Sequence, residues 1–138
     1  MTKISATLRR QVSERASGLC EYCQTAEINV IEMEIDHIIP ESAGGQTTLD
    51  NLCLACISCN GFKGAFELGT DPDTETTVPL FNPRDQQWDQ HFEWSSSGTH
   101  LLGKTATGRA TIDRLNINRP AAVRTRERWV AVGWHPPK

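Results

Sequence analysis

A chain of 138 residues with 38% hydrophobic and 22% charged residues is long enough for one domain with a modest core. No apolar run approaches the roughly 18 residues of a membrane span, and the first residues lack the apolar segment of a secretory signal, so we expect a cytoplasmic protein without membrane association. The net charge of −3 divides into +3 over residues 1–20, −12 over residues 21–93 and +6 over residues 94–138. This pattern indicates a cation site between phosphate-binding arms or, alternatively, an uneven solvated surface.

In chain order, the first predicted element is a helix from Ser5 to Gly18, because Ser5 can cap it and its apolar residues fall four apart. The apolar/polar alternation of residues 31–35 predicts a half-buried strand that runs on to Pro40. Residues 69–79 are polar and contain Pro and Gly, which predicts a long exposed connection.

The C-terminal half is predicted to contain a hairpin and two helices. Residues 91–94 and 99–102 flank a Ser/Gly turn, which is typical of a hairpin. A helix is predicted at 106–115, and Asn118-Arg-Pro120 predicts the start of a last helix with Asn118 as its cap. The order of these elements predicts a small α+β fold.

Two CxxC pairs are the strongest chemical signal of the sequence. Cys20 and Cys23 form the first pair, and Cys56 and Cys59 form a second pair 32 residues later. Such pairs set two sulfurs at the right separation for zinc, so four thiolates predict a structural zinc site, with two unrelated thiol pairs or a redox CxxC as the alternatives. Because Cys53 and Cys56 also form a CxxC, spacing alone leaves the choice of the second pair open.

The motifs around these cysteines form a known combination. Asp36-His37-Ile-Ile-Pro40, Gly44-Gly45, Asn51-Leu52 and Cys56-x2-Cys59-Asn60-x2-Lys63-Gly64 together resemble the zinc-bearing HNH endonucleases of the ββα-metal class, over about residues 20–65. The resemblance implies that Cys56 and Cys59 are the second zinc pair and that Cys53 is a buried strand thiol. It also implies a small ββα-metal core, stabilised by the tetracysteine zinc site and followed by a C-terminal hairpin and helices. We expect a single nuclease domain over residues 1–138, with its core at about 18–66 and an extension at about 80–135.

The resemblance implies metal-dependent hydrolysis of DNA phosphodiester bonds that leaves 5′-phosphate and 3′-hydroxyl ends. His37 suits the role of general base, because an imidazole can accept a proton at neutral pH. Asp36 and Asn60 offer the hard oxygens that a catalytic Mg²⁺ or Mn²⁺ prefers, and Asn60 stands where many relatives have histidine. A structural histidine at position 37 and a capping asparagine at position 60 are the alternatives.

Several neighbouring residues receive supporting roles. Asn51 matches the middle asparagine of the family, which implies that its side chain holds the loop bearing His37. Adjacent strand residues point to opposite faces, so Asp36 and His37 need a bend near Pro40 to address one site. Glu41 and Asp50 are interpreted as solvated surface carboxylates.

Basic residues are the predicted DNA contacts. Lys63 lies one helical turn beyond the last cysteine, and the last helix carries Arg119, Arg124, Arg126 and Arg128. A packing helix with a solvated arginine face is the alternative. We expect double-stranded DNA as the partner and leave a homodimer or a larger nuclease assembly open. The alternative function is a zinc-stabilised, non-catalytic nucleic-acid-binding module, or a subunit active only within a larger assembly.

Overall fold

The computed structural model describes residues 3–138, and within them lie five α-helices and six β-strands. The helices are α1 (Ala6–Arg15), α2 (Ile57–Lys63), α3 (Trp88–His91), α4 (Ala106–Arg114) and α5 (Pro120–Ala131). The strands form three two-stranded antiparallel sheets, which are β1 (Met33–His37) with β2 (Leu52–Cys56), β3 (Leu68–Thr70) with β4 (Thr77–Pro79), and β5 (Phe92–Trp94) with β6 (Leu101–Gly103). The predicted α+β class is confirmed. Within the described range, no helix is long and apolar enough to cross a membrane.

The chain forms two compact units. The first runs to Glu67 and also contains Asn82–Asp85, and the second comprises Leu68–Phe81 and Gln86–Lys138. Helices α1 and α2 and strands β1 and β2 belong to the first unit, and the remaining elements belong to the second. The assignment of one nuclease domain with a core and an extension stays a prediction.

The core of the first unit forms where α1 packs on the β1–β2 sheet. Val12, Leu52 and Leu54 are its buried centre, and Leu8, Ala16, Met33 and Ile35 pack around them. Ser5 caps α1 as predicted, since its hydroxyl accepts a hydrogen bond from the backbone N–H of Leu8. Burial of one helix face and one sheet face against each other thus fixes β1, the strand that carries the candidate catalytic residues.

Residues 69–79 are largely exposed, as predicted, but they are not an irregular connection, because this stretch contains the β3–β4 hairpin of the second unit. Asp71 follows β3 and is fully buried. Its carboxylate accepts two hydrogen bonds of 2.9 Å from the guanidinium of Arg109 on α4. A polar composition is typical of a loop, but the ion pair of Asp71 and Arg109 holds the β3–β4 hairpin against α4.

The predicted C-terminal hairpin is confirmed as β5 and β6, and α4 and α5 lie where helices were expected. Asn118 is not the cap of α5, however, because Arg119 holds that position. The side chain of Asn118 instead bonds to the backbone N–H and C=O of Leu101 at the start of β6. Gly108 permits the close approach of α4 to this region, since a Cβ there would lie 2.2 Å from the carbonyl oxygen of His91.

Candidate functional site

The four cysteines of the two CxxC pairs converge in the first unit. The sulfurs of Cys20, Cys23, Cys56 and Cys59 all lie within 4.8 Å of one another, and those of Cys23 and Cys56 are 3.7 Å apart. Tetrahedral zinc with bonds of about 2.3 Å to sulfur separates its ligands by about 3.8 Å. The donor set and its spacing therefore fit a structural zinc ion.

Each pair adopts a tight turn that points backbone N–H groups at sulfur. The N–H of Cys23 faces Sγ of Cys20 at 3.5 Å, and the N–H of Cys59 faces Sγ of Cys56 at 3.3 Å. Cys56 is also the N-cap of α2. Hydrogen bonding among the sulfurs, first with Cys20, holds the pKa of Cys23 well below its usual range.

Cys53 is a buried thiol on β2 outside this cluster. Its Sγ lies 3.4 Å from the hydroxyl of Tyr22 and 3.6 Å from Oδ2 of Asp36. Burial raises the pKa of the Cys53 thiol well above its usual range, so it stays protonated. The predicted choice of Cys59 over Cys53 as the partner of Cys56 in the cluster is confirmed.

The first CxxC turn also binds the sheet directly. Glu21 bonds to Leu54 of β2 twice, through its backbone N–H at 2.8 Å and its side chain at 2.7 Å. Tyr22 is fully buried and donates a hydrogen bond of 2.8 Å from its hydroxyl to Oδ2 of Asp36. Because burial raises the pKa of Tyr22, its hydroxyl keeps the proton that it donates.

Asp36 is 4% exposed and forms an ion pair with Lys63 of α2, which is 2% exposed. The Lys63 ammonium lies 3.1 Å from Oδ2 and 3.3 Å from Oδ1 of Asp36. It also donates to the carbonyl oxygens of His37, at 3.2 Å, and Ile38, at 3.3 Å. Lys63 therefore lacks the exposed ammonium that the predicted contact with a DNA backbone requires, and it acts as an internal support of the end of β1.

His37 is the last residue of β1 and has partners different from those of Asp36. Its Nε2 lies 2.9 Å from Oγ1 of Thr47 and 3.1 Å from Oε1 of Glu41. A carboxylate can only accept a hydrogen bond, so in a neutral ring Nε2 carries the proton and Nδ1 is the acceptor. β1 pairs regularly with β2 up to His37 opposite Leu52, without a bulge, and the chain turns only at residues 41–43.

The loop after His37 is fixed by the side chain of Asn51. Its Oδ1 accepts from the N–H of Ile39, and its Nδ2 donates to the carbonyl oxygens of Ile39 and Gln46, each at 2.9 Å. Gly45 lies against the same turn, where a Cβ would be 1.7 Å from the carbonyl oxygen of Ile39. Any residue other than glycine at position 45 would push the backbone at Gly45 away from the backbone at Ile39.

His37 and Asn60 line one cleft of about 700 Å³ in the first unit. Nδ2 of Asn60 donates a hydrogen bond to Oε2 of Glu34, which is also in the cleft. The full lining is Lys3, Ile4, Arg9, Glu34, Ile35, Asp36, His37, Pro40, Glu41, Asn60, Gly64 and Ala65. The cleft thus combines an imidazole, oxygen donors and two basic side chains, which is the chemistry that binds a cation and a phosphate group.

Several charged residues of this cleft were not predicted as site residues from the sequence. Glu34 precedes Asp36 by two residues, a spacing that puts both on one face of a strand. Glu34 could therefore have been predicted from the sequence as a residue of the site. Glu41 is exposed, as predicted, but it also contacts His37, and this contact depends on the turn at residues 41–43. Arg9 is brought there by the packing of α1, which no local pattern indicates.

The predicted DNA-binding arginines lie in the second unit and differ in exposure. Arg124 and Arg128 are exposed on α5, and Arg119 at its start donates to the carbonyl oxygen of Asn116. Arg126 is 3% exposed and bonds to the carbonyl oxygens of Thr99 and Ile117. Arg126 is therefore a packing residue without the exposure that a phosphate contact needs.

Comparison with known proteins agrees with the geometry of the first unit. A search of curated proteins finds no match to the chain. Residues 20–66 match the family model of HNH endonuclease, and this segment contains both CxxC pairs, β1, the Asn51 loop and α2. The family implies a nuclease-type enzyme that acts on nucleic acid. Residues 20–66 of this chain thus match the HNH endonuclease family, and they contain a four-cysteine cluster consistent with a zinc-bearing member of it.

Proposed function

We propose that the chain is a metal-dependent endonuclease that hydrolyses phosphodiester bonds of double-stranded DNA in the cleft of the first unit. The observation that carries the proposal is the orientation of His37, whose Nε2 is held by Glu41 and Thr47. This contact leaves Nδ1 as the basic atom of a ring that lines the cleft.

His37 acts as the general base, accepting a proton from the attacking water through Nδ1. Glu41 keeps the ring in the required tautomer and stabilises the positive charge that the imidazole gains, as a carboxylate does for histidine in other hydrolytic sites. Thr47 supports the same nitrogen from the loop. In this step the protein thus keeps the proton on Nε2 of His37 and leaves Nδ1 free to accept a proton from water.

Basic side chains bind the substrate backbone. Lys3 and Arg9 line the same cleft as His37, so they lie where the phosphates flanking the cut would approach. Their charges compensate the carboxylates of the cleft, which would otherwise repel DNA.

A bound divalent cation, Mg²⁺ or Mn²⁺, would neutralise the negative charge that develops on the phosphoryl oxygens. Asn60 offers one oxygen for it, and a carboxylate of the cleft offers another. The sequence points to Asp36 as that carboxylate. A zinc ion on the four-cysteine cluster would hold the fold and take no part in the reaction.

The test is a plasmid-nicking assay with Mg²⁺ or Mn²⁺, comparing wild type, His37→Ala and the control His100→Ala. His100 is exposed and lies outside the first unit. We expect wild type and His100→Ala to cut equally and His37→Ala to lose on the order of 10²–10⁴ in rate. Ligase should reseal the nicks if the ends are 5′-phosphate and 3′-hydroxyl. Equal cutting by His37→Ala would overturn its role as base, and no cutting by wild type would favour a binding module.

A further inference from the structure

We propose that Glu34, together with Asn60, supplies the protein oxygens that hold the divalent cation in this chain, and that Asp36 is a positioning residue. The inference rests on the proposed function, because it concerns the cation of that same cleft. Three observations carry it, namely the occupation of Asp36, the pairing of Glu34 with Asn60, and the position of Lys63.

The carboxylate of Asp36 is already neutralised. The Lys63 ammonium contacts both of its oxygens, at 3.1 and 3.3 Å, and the Tyr22 hydroxyl donates to Oδ2 at 2.8 Å. A divalent cation on Asp36 would lie beside a buried ammonium, where the repulsion of like charges is weakly screened. Moving Lys63 away would leave its charge buried without a partner, which is strongly unfavourable. Asp36 in this arrangement does not fit a cation.

Glu34 is the carboxylate on the same strand that faces Asn60. It precedes Asp36 by two residues and therefore lies on the same face of β1. It is partly exposed, and its Oε2 accepts the hydrogen bond from Nδ2 of Asn60. Within residues 3–138, no lysine or arginine forms an ion pair with Glu34, in contrast to Asp36. Because Asn60 uses its nitrogen for this bond, its carbonyl oxygen is the atom that remains for a cation.

Asp36 acts through Lys63 on the position of His37. Lys63 bonds at once to Asp36 and to the carbonyl oxygens of His37 and Ile38. The ion pair thereby ties α2 to the end of β1 where the base is located. This role needs a buried carboxylate, whereas a cation that meets a DNA phosphate needs a carboxylate open to the cleft, which Glu34 provides.

The experiment measures Mn²⁺ binding to the zinc-loaded full chain by calorimetry, and Mn²⁺-induced broadening of the Asn60 side-chain amide signals by NMR. The test variant is Glu34→Gln, and the matched control is Glu32→Gln, which removes the same charge from an exposed position two residues earlier. We expect Glu34→Gln to weaken Mn²⁺ binding at least about tenfold and to remove the broadening, with Glu32→Gln within about twofold of wild type. Zinc content and the melting temperature should stay the same in both variants.

The variant Asp36→Asn tests the other half of the inference, that Asp36 is not a ligand of the cation. It should lower the melting temperature, because Lys63 loses its counter-charge, but should keep Mn²⁺ affinity within about threefold of wild type at a temperature where it is folded. Unchanged Mn²⁺ binding by Glu34→Gln overturns the inference even if Asp36→Asn fails to fold. Loss of binding in a folded Asp36→Asn protein with binding kept in Glu34→Gln would restore Asp36 as the ligand.

The plasmid-nicking assay separates this inference from the proposed function. Mn²⁺-dependent nicking by wild type, with Glu34→Gln equal to wild type in Mn²⁺ binding and in nicking, would leave a nuclease whose cation is held elsewhere. Absence of Mn²⁺ binding and of nicking in wild type would overturn both proposals.

Discussion

The hydroxyl of Tyr22 lies 2.8 Å from Oδ2 of Asp36, so the first CxxC turn is hydrogen-bonded to the strand that ends in His37. The second CxxC turn leads directly into α2, which carries Lys63 and its contacts to the same strand. A zinc ion on the four cysteines would therefore fix both sides of the candidate site. Zinc in this position would act on the proposed reaction through the placement of residues and not through contact with substrate.

The first prediction is that Cys56→Ser loses zinc, whereas Cys53→Ser keeps one zinc per chain. Cys56 belongs to the four-sulfur cluster, and Cys53 does not. Because metal binding and folding are coupled in small zinc sites, Cys56→Ser should also increase hydrogen exchange at β1. Metal analysis and exchange measured on peptides covering residues 33–39 check both points. Zinc lost from Cys53→Ser but retained by Cys56→Ser would contradict the ligand set.

Local patterns in the sequence were sufficient for the elements that build this site. The two CxxC spacings, the alternation before Asp36 and the cap at Ser5 each report backbone geometry over a few residues, and the structure has them in the expected places. The hairpin at 69–79 was missed because its stability comes from the bond between Asp71 and Arg109, which are 38 residues apart. A composition rule cannot detect such a distant partner.

Whether a charged side chain is buried or exposed could not be predicted from the sequence. Lys63 is a predicted DNA contact because it lies one helical turn beyond Cys59, and Arg126 because it belongs to the basic last helix. Each is buried instead, where backbone carbonyl oxygens accept its hydrogen bonds. Burial of a charge depends on partners that the whole fold assembles, so it is not visible in a helical period or a local charge count.

The second prediction concerns the buried pair of Asp36 and Lys63. Lys63→Met and Asp36→Asn should each lower the free energy of unfolding by about 3 kcal/mol, because each leaves one buried partner without its counterpart. The double variant should cost less than the sum by at least about 1 kcal/mol. Urea denaturation of the zinc-loaded protein measures all three, with Lys3→Met as an exposed control near zero. Additive losses would show that the pair is not coupled.

The third prediction concerns the support of His37 by Glu41. Glu41→Ala should lower kcat for nicking by about tenfold or more with little change in KM, because the ring loses the partner that selects its tautomer. Glu41→Gln should be less affected, since its amide oxygen can still accept from Nε2. Asp50→Asn, which removes another exposed carboxylate of the same loop, is the control. If Asp50→Asn lowered kcat equally, the effect of Glu41→Ala would be explained by the change in net charge and not by the contact with His37.

The fourth prediction is that Asp71 stays ionised far into the acid range. The Arg109 guanidinium, bonded to both carboxylate oxygens, holds the pKa of Asp71 well below its usual range. The folded protein then binds this proton at lower pH than the unfolded chain does. Asp71 thus stabilises the fold above the ordinary value of about 3.9, and the contribution is lost as the pH falls from there toward the lowered pKa.

The Cγ chemical shift of Asp71, followed by NMR from pH 7 to pH 3, checks this prediction. It should hardly move in wild type. In Arg109→Lys the midpoint should rise, because a lysine cannot bond to both oxygens in the same planar geometry. A wild-type midpoint near 4 would show that the ion pair does not form in solution.

The fifth prediction separates two neighbouring arginines of α5. Arg126→Ala should lower the free energy of unfolding by about 3 kcal/mol, because the carbonyl oxygens of Thr99 and Ile117 lose their buried donor. The guanidinium also lies 5.4 Å from the ring centre of Trp94, a cation–π contact that the variant removes. Arg124→Ala, at an exposed position on the same helix, should change stability by less than about 0.5 kcal/mol.

The same two variants test whether α5 binds DNA. If the exposed face contacts phosphates, Arg124→Ala reduces the slope of log affinity against log salt by about 1, while its stability stays that of wild type. Arg126→Ala should leave that slope unchanged at a temperature where the protein is folded, because its charge never reaches the surface. A slope unchanged in Arg124→Ala would assign the helix to packing. The two arginines are two residues apart, so the comparison holds charge and helix constant and varies burial.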